Sequence, residues 1–150
     1  MQLGIARGML DDLRHLAMTK TPRGATASLR DSPVFQTELA RLEARYRAAR
    51  AYLHMTADDV YRQVAAKNEI TLEDRTTMKL ASVHTIHEAV EVTAAAYRNA
   101  GSTAIFPDGP FEQRLRDAYT ASQQTQARVQ NFLTIGRCML GLEPDTMTFL

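Results

Sequence analysis

The sequence predicts an all-α fold, an antiparallel up-down four-helix bundle. Three observations lead there. Apolar residues recur at spacings of three and four through four long segments, the mark of amphipathic helices. No segment alternates apolar and polar with the period of two that a half-buried strand needs. Short connections between the periodic segments favour antiparallel neighbours. The 150 residues read as one bundle domain, a length that can bury a real core.

Helix 1 is expected over 1–20, with Leu3, Ala6, Leu10, Leu13 and Ala17 on one face. Its pattern is in phase from residue 3, with no Ser, Thr, Asp or Asn before it to cap the first amides. The expectation is a chain cut close to a domain boundary. Residues 21–28 hold Pro22, Gly24 and small hydroxyl residues and read as a loop. Ser32 then suits an N-cap and Pro33 the first helical position, where its missing donor costs nothing.

Helix 2 is expected over 33–67. Phe35, Leu39, Leu42, Tyr46, Ala49, Leu53, Thr56 and Val60 alternate steps of four and three, one continuous seam. Arg41, Arg45, Arg47 and Arg50 lie off that seam. After Asn68-Glu69-Ile70, Thr71 can cap, and Glu73 and Asp74 suit the positive end of a helix dipole. Helix 3 follows over 72–99, with Val83, Ile86, Val90, Ala94 and Tyr97 on a face and Gly101 just past its end. Helix 4 is expected over 110–141 through Leu115, Ala118, Val129, Phe132 and Ile135. Its apolar pattern thins around Gln126, the place open to a break. Residues 142–150 read as a tail. The expected core is Leu10, Leu13, Leu39, Leu42, Tyr46, Leu53, Val83, Ile86, Val90, Leu115 and Phe132.

Composition narrows the function. A net charge of +1 gives no bulk field for nucleic acid or an anionic membrane. Apolar runs are only a few residues long, as around Ala94-Ala95-Ala96, whereas a membrane span needs roughly 20. No charged-then-apolar leader opens the chain. Cys138 is the single cysteine, which excludes a disulfide within the chain and a thiolate metal cluster and suits a reducing cytoplasm.

His84, His87, Glu88 and Glu91 share one side of helix 3 and invite a metal reading. Carboxylate-bridged di-iron bundles need Glu-x-x-His on each of two helices; the order here is His-x-x-His-Glu, and no second helix supplies the motif. The expectation is no metal and a solvated or interfacial face. Cys138 has only Arg137 beside it, and adjacent helical residues point apart, so a half-buried structural thiol is expected. The helix 2 arginines could hold a phosphate, but such a run is more often a solvated face. Gly101-Ser102-Thr103 follows a helix, whereas a phosphate cradle precedes one.

Several stretches together resemble the C-terminal helical domain of the acyl-CoA dehydrogenase superfamily. They are Gly4-Ile5-Ala6-Arg7, Ala48-Ala49-Arg50, the run from Tyr97 to Ile105, Pro110-Phe111, Leu115-Arg116-Asp117, Gly136-Arg137, and Leu140 to Asp145. The resemblance covers essentially the whole chain, and its nearest branch is the one shared with flavin-dependent monooxygenases. It implies an antiparallel bundle beside FAD, with the rest of the flavin pocket on domains this chain lacks or on a partner flavin-domain chain. It also implies a homodimer or homotetramer built through the bundles.

By position, the resemblance places Gln36 near the cofactor, and Arg98, Gly101 and Ser102 on the loop that approaches FAD phosphate across the subunit interface. The family often has Gln where Arg98 stands. Classical dehydrogenases place a glutamate base shortly after the Arg-Asp pair, although some subfamilies carry it elsewhere. Here Ala121-Ser122-Gln123-Gln124-Thr125-Gln126 contains no acid, and glutamine cannot abstract a proton. Hydroxylase-like relatives commonly show histidines in this stretch, where this chain has Tyr119 and Gln124. Two readings follow: the C-terminal bundle of an FAD-dependent oxidoreductase, which is not catalytically competent alone, or a non-catalytic assembly module derived from it. Assembly has one sign in the residues, a second set of small or apolar positions at Ala95, Ala96, Ala121, Ile135 and Met139.

Overall fold

The structure, a computed structural model, describes residues 1–144. Of the expected tail 142–150, residues 145–150 lie outside the described residues. Among the described residues are five α-helices: α1 (Gln2–Thr19), α2 (Pro33–Lys67), α3 (Leu72–Ala100), α4 (Pro110–Ala121) and α5 (Gln130–Met139). Short 3-10 turns occupy Leu29–Asp31, Gly101–Ile105 and Thr125–Ala127. The described residues contain no strand, so the all-α expectation holds.

Local chemistry sets the helix ends. The Ser32 side chain accepts from the Phe35 amide at the start of α2, beside Pro33, and Asn68 ends that helix in the left-handed region at φ 53°. Thr71 and Asp74 make a complete capping box for α3.

The expected helix over 110–141 is present as two helices rather than one. Ser122, Gln123 and Gln124 are polar residues with little to bury, and Gln124 and Arg128 adopt extended backbone that interrupts the helical ladder. The break changes which face of α5 turns inward: Asn131, Thr134 and Ile135 are buried. Phe132, expected in the core, is instead 37% exposed at the rim.

The core is built on α3, which packs against each of the other four helices. Its inward residues include Ala89, Val92, Ala96 and Ala100, small enough for neighbours to approach closely. Ala6, Met9, Leu10 and Leu13 of α1, Phe35 and Leu42 of α2 and Phe111 of α4 pack onto them. Burying each large side chain of this set is worth about 1.5–3 kcal/mol. Leu10, Leu13, Leu42, Val83 and Val90 are buried as expected. Leu39, Tyr46, Leu53, Ile86 and Leu115 are only half-buried. Two of the residues expected on an outer stripe, Ala96 and Ile135, lie inside the protein. Ala95 and Ala121 are half-buried and Met139 is exposed.

Polar ties fix the helices against one another. Arg7 of α1 bonds Glu43 of α2 at 2.8 Å and lies 5.1 Å above the Tyr46 ring. Burial pulls the Glu43 carboxyl up, but hydrogen bonds from Arg7 and Arg47 outweigh it and hold it below the usual range. Gln2 donates to the Ala118 carbonyl, joining the start of α1 to the end of α4. Thr85 of α3 donates to the Ala49 carbonyl of α2.

Gly8 provides a notch on α1. A β-carbon there would fall within contact distance of the Arg114 guanidinium from α4, which bonds Asp12 one turn further along α1.

Candidate functional site

One end of the protein is assembled by a chain of hydrogen bonds. Gln36, in the first turn of α2, donates to the Arg30 carbonyl at 2.8 Å. The Leu29 amide donates to the Lys20 carbonyl at 2.7 Å. Lys20 then sends its ammonium to the Ala100 carbonyl, the last residue of α3, at 2.6 Å. The end of α1, the start of α2 and the end of α3 are thereby tied together. Gln36 and the Arg98–Ser102 segment, both expected at the cofactor from the resemblance, share this end.

The segment leaving α3 turns on Gly101, whose φ of 62° and ψ of −146° is a conformation essentially restricted to glycine. A β-carbon there would also approach the Lys20 ammonium at 3.4 Å. Arg98, Gly101, Ser102 and Gln36 are all exposed. Arg98 has no hydrogen-bond or ion-pair partner among the described residues. Residues 20–32 and 98–109 carry four cations, Lys20, Arg23, Arg30 and Arg98, against two acids, Asp31 and Asp108. Asp31 is already engaged by Ser28 and Arg30. The start of α2 adds the positive end of its dipole. The arrangement suits an anion such as a diphosphate. Lys20 carried no signal in the sequence, because its partner is a backbone carbonyl 80 residues away.

The other candidates go to separate partners. Glu88 pairs with Arg45, which raises the Arg45 pKa through the hydrogen bond against the opposing pull of burial. His84 meets Tyr52 edge-on at 5.8 Å. The His87 Nε2 lies 2.8 Å from the Ala127 carbonyl. Among the described residues no group of three or more His, Cys, Asp and Glu side chains is placed to hold a metal. Of the helix 2 arginines, Arg41 pairs with Glu38 and Arg47 with Glu43. Cys138 is half-buried in a cleft of about 530 Å³ with Leu72, Leu80 and Met139.

The stretch without a catalytic acid leads into a tightly held turn. Asn131 donates to the Thr125 and Gln126 carbonyls, both at 3.0 Å, and His87 bonds the next carbonyl. No helix of the described residues is long and apolar enough to cross a membrane.

Residues 1–128 match the family described as acyl-CoA dehydrogenase, C-terminal domain. Two indole-3-acetate monooxygenases, from Acinetobacter baumannii and Pseudomonas putida, are each 28% identical over 142 residues, 95% of this chain. The chain spans only 36% of the length of either. In structure it is similar to the 3-HSA hydroxylase from Rhodococcus sp. RHA1, with a TM-score of 0.85 and 23% identity over 99% of this chain and 38% of that one. The HsaA monooxygenase from M. tuberculosis has a TM-score of 0.83 at 22% identity, over 97% of this chain and 37% of that one. These two structural likenesses support the fold.

Proposed function

The chain belongs to the acyl-CoA dehydrogenase C-terminal domain family, and we propose that it is the bundle domain of a flavin-dependent monooxygenase. In this reading it contributes to subunit assembly and gives part of the FAD site. The observation that carries the site is the tied end of the bundle. Arg98 is a cation there with no partner among the described residues, Gly101 leaves backbone room beside it, and Ser102 adds a hydroxyl donor. Gln36 donates one amide hydrogen to the Arg30 carbonyl, and its second amide hydrogen can donate to a phosphate oxygen. These groups fit a diphosphate. The isoalloxazine ring belongs to the missing domains or to a partner flavin-domain chain. The flavin supplies the redox chemistry when bound; this chain anchors and orients it and helps to exclude water.

The test is an equilibrium titration of the chain with FAD, ADP and riboflavin. FAD and ADP should bind weakly and alike, riboflavin less, and Arg98→Ala should lower the first two several-fold. Equal binding of riboflavin and ADP, or an unchanged titration with Arg98→Ala, overturns the proposed FAD contact. The branch is carried by the relatives named monooxygenases, which match 95% of this chain. Monooxygenase activity also requires the missing domains, and the titration leaves that part to be assayed in their presence.

A second reading, a non-catalytic assembly module, is favoured by the absence of acid and histidine from residues 121–126. It predicts association with no response to ADP. Both readings expect a homodimer or homotetramer in solution. Leu133, Met139, Leu140 and Leu142 are each at least half exposed around the end of α5, a patch that association would cover. Light scattering at micromolar concentration checks this; a mass near the 16.8 kDa monomer counts against assembly.

A further inference from the structure

The cleft of about 530 Å³ lies between the first turns of α3 and the last turn of α5. We propose that it seats the residues that follow α5 in the same chain, with Met147 and Phe149 held in the cleft. Residues 145–150 lie outside the described residues; the lining of the cleft and the course of the chain up to Pro144 point to them.

Leu72, Leu80, Cys138 and Met139 line the cleft, with Leu72 47% and Met139 70% exposed. Thr76, also in the lining, spends its hydroxyl hydrogen on the Leu72 carbonyl at 2.7 Å. Apolar surface gathered in this way is stabilised by being covered. The end of α5 sends the chain back. The Gly141 amide donates to the Cys138 carbonyl at 3.0 Å and the Leu142 amide to the Arg137 carbonyl at 2.9 Å, with Gly141 at φ 73°, a Schellman turn. Arg137 also donates from Nε to the Glu143 carbonyl at 3.1 Å. Residues 140–143 are exposed and Pro144 is half-buried, so the chain has returned to the protein where residue 145 begins. Six extended residues reach about 20 Å, whereas a helix is about 10–12 Å across, so the cleft beside the last turn of α5 is within range. Met147 and Phe149 alternate with Thr146 and Thr148, and an extended segment turns both to one side about 6.6 Å apart. Leu72, Thr76 and Leu80 follow one another at about 6 Å along α3, close to that spacing. A second copy offers the same residues, but the tether to α5 holds the chain's own at an effective concentration on the order of millimolar.

Cys138 is the only cysteine and lines the cleft, so its alkylation by iodoacetamide reports whether the cleft is filled. Ending the chain at Pro144, or changing Phe149→Ser at full length, should each speed the reaction about threefold to tenfold, the factor expected when a weak tethered contact fills the cleft most of the time. A rate that neither change alters overturns the proposal. In wild type labelled at phenylalanine and leucine, nuclear Overhauser contacts should join the Phe149 ring to the Leu72 and Leu80 methyls. Their absence overturns the proposal whether or not the variants fold. Contacts found between separately labelled copies assign the cleft to a second copy and overturn it as well.

Discussion

At its start α3 is closed by its own neighbours, and at its end by a residue from another helix. Thr71 and Asp74 exchange hydrogen bonds within one turn, so the whole device lies inside four consecutive residues. At the other end the Ala100 carbonyl is met by Lys20, and the chain leaves through a backbone shape only Gly101 adopts with ease. The first arrangement needs little beyond the helix itself. The second exists only once α1 and α3 are packed, and residues proposed for ligand contact sit on it. A helix end made by tertiary structure can hold side chains in place for a partner, which a self-contained cap does not require.

The largest effect separating the two ends is expected at Gly101. Gly101→Val forces a branched side chain into a positive φ and should cost about 3 kcal/mol, read as a lower midpoint in urea denaturation. If stability were unchanged, the end of α3 would be as tolerant as its start. Next is Lys20→Met, which removes a charged donor from the Ala100 carbonyl and should cost about 1.5 kcal/mol. Amide exchange should accelerate in the last turn of α3 and stay unchanged near Thr71. Thr71→Ala should cost about 1 kcal/mol through loss of the N-cap, with the opposite exchange pattern. The two ends lie about 43 Å apart along 29 residues, so the costs of Lys20→Met and Thr71→Ala should add in the double variant.

The smallest effect is one of pH. Hydrogen bonds from the Thr71 side chain and backbone hold the Asp74 carboxyl below the ordinary aspartate value. A carboxyl lowered on folding stabilises above its unfolded value and loses that contribution as pH falls through the folded one. Stability should therefore decline below about pH 4, and Asp74→Asn should flatten that part of the profile. A profile identical to wild type would remove Asp74 from the cap.

What could be read beforehand follows the same division. The helices at 33–67 and 72–99, Ser32, Thr71 and Asp74 were legible because propensity, capping and periodicity act over a few residues. Phe132 was misplaced because the α4–α5 break shifts the phase of everything after it, and only three-dimensional packing decides by how much. Ala96 was assigned outward because a two-sided helix such as α3 has no single seam to count from, and Ile135 because it lies beyond the α4–α5 break. Lys20 and the pairing of His87 with Ala127 were invisible, since each joins a side chain to a carbonyl far along the chain.

The notch at Gly8 couples three positions on two helices. Alanine there would favour the helix by about 1 kcal/mol, and it would push the Arg114 guanidinium off Asp12. The ion pair is half-buried and of comparable worth, so the two effects nearly cancel at the level of stability. They do not cancel geometrically, because the pair is a cross-brace between α1 and α4. Loss of the brace should leave the melting point almost unmoved while freeing α4 to slide along α1. Drift at position 8 would therefore go unnoticed in a stability assay and would show first in the alignment of whatever α4 carries.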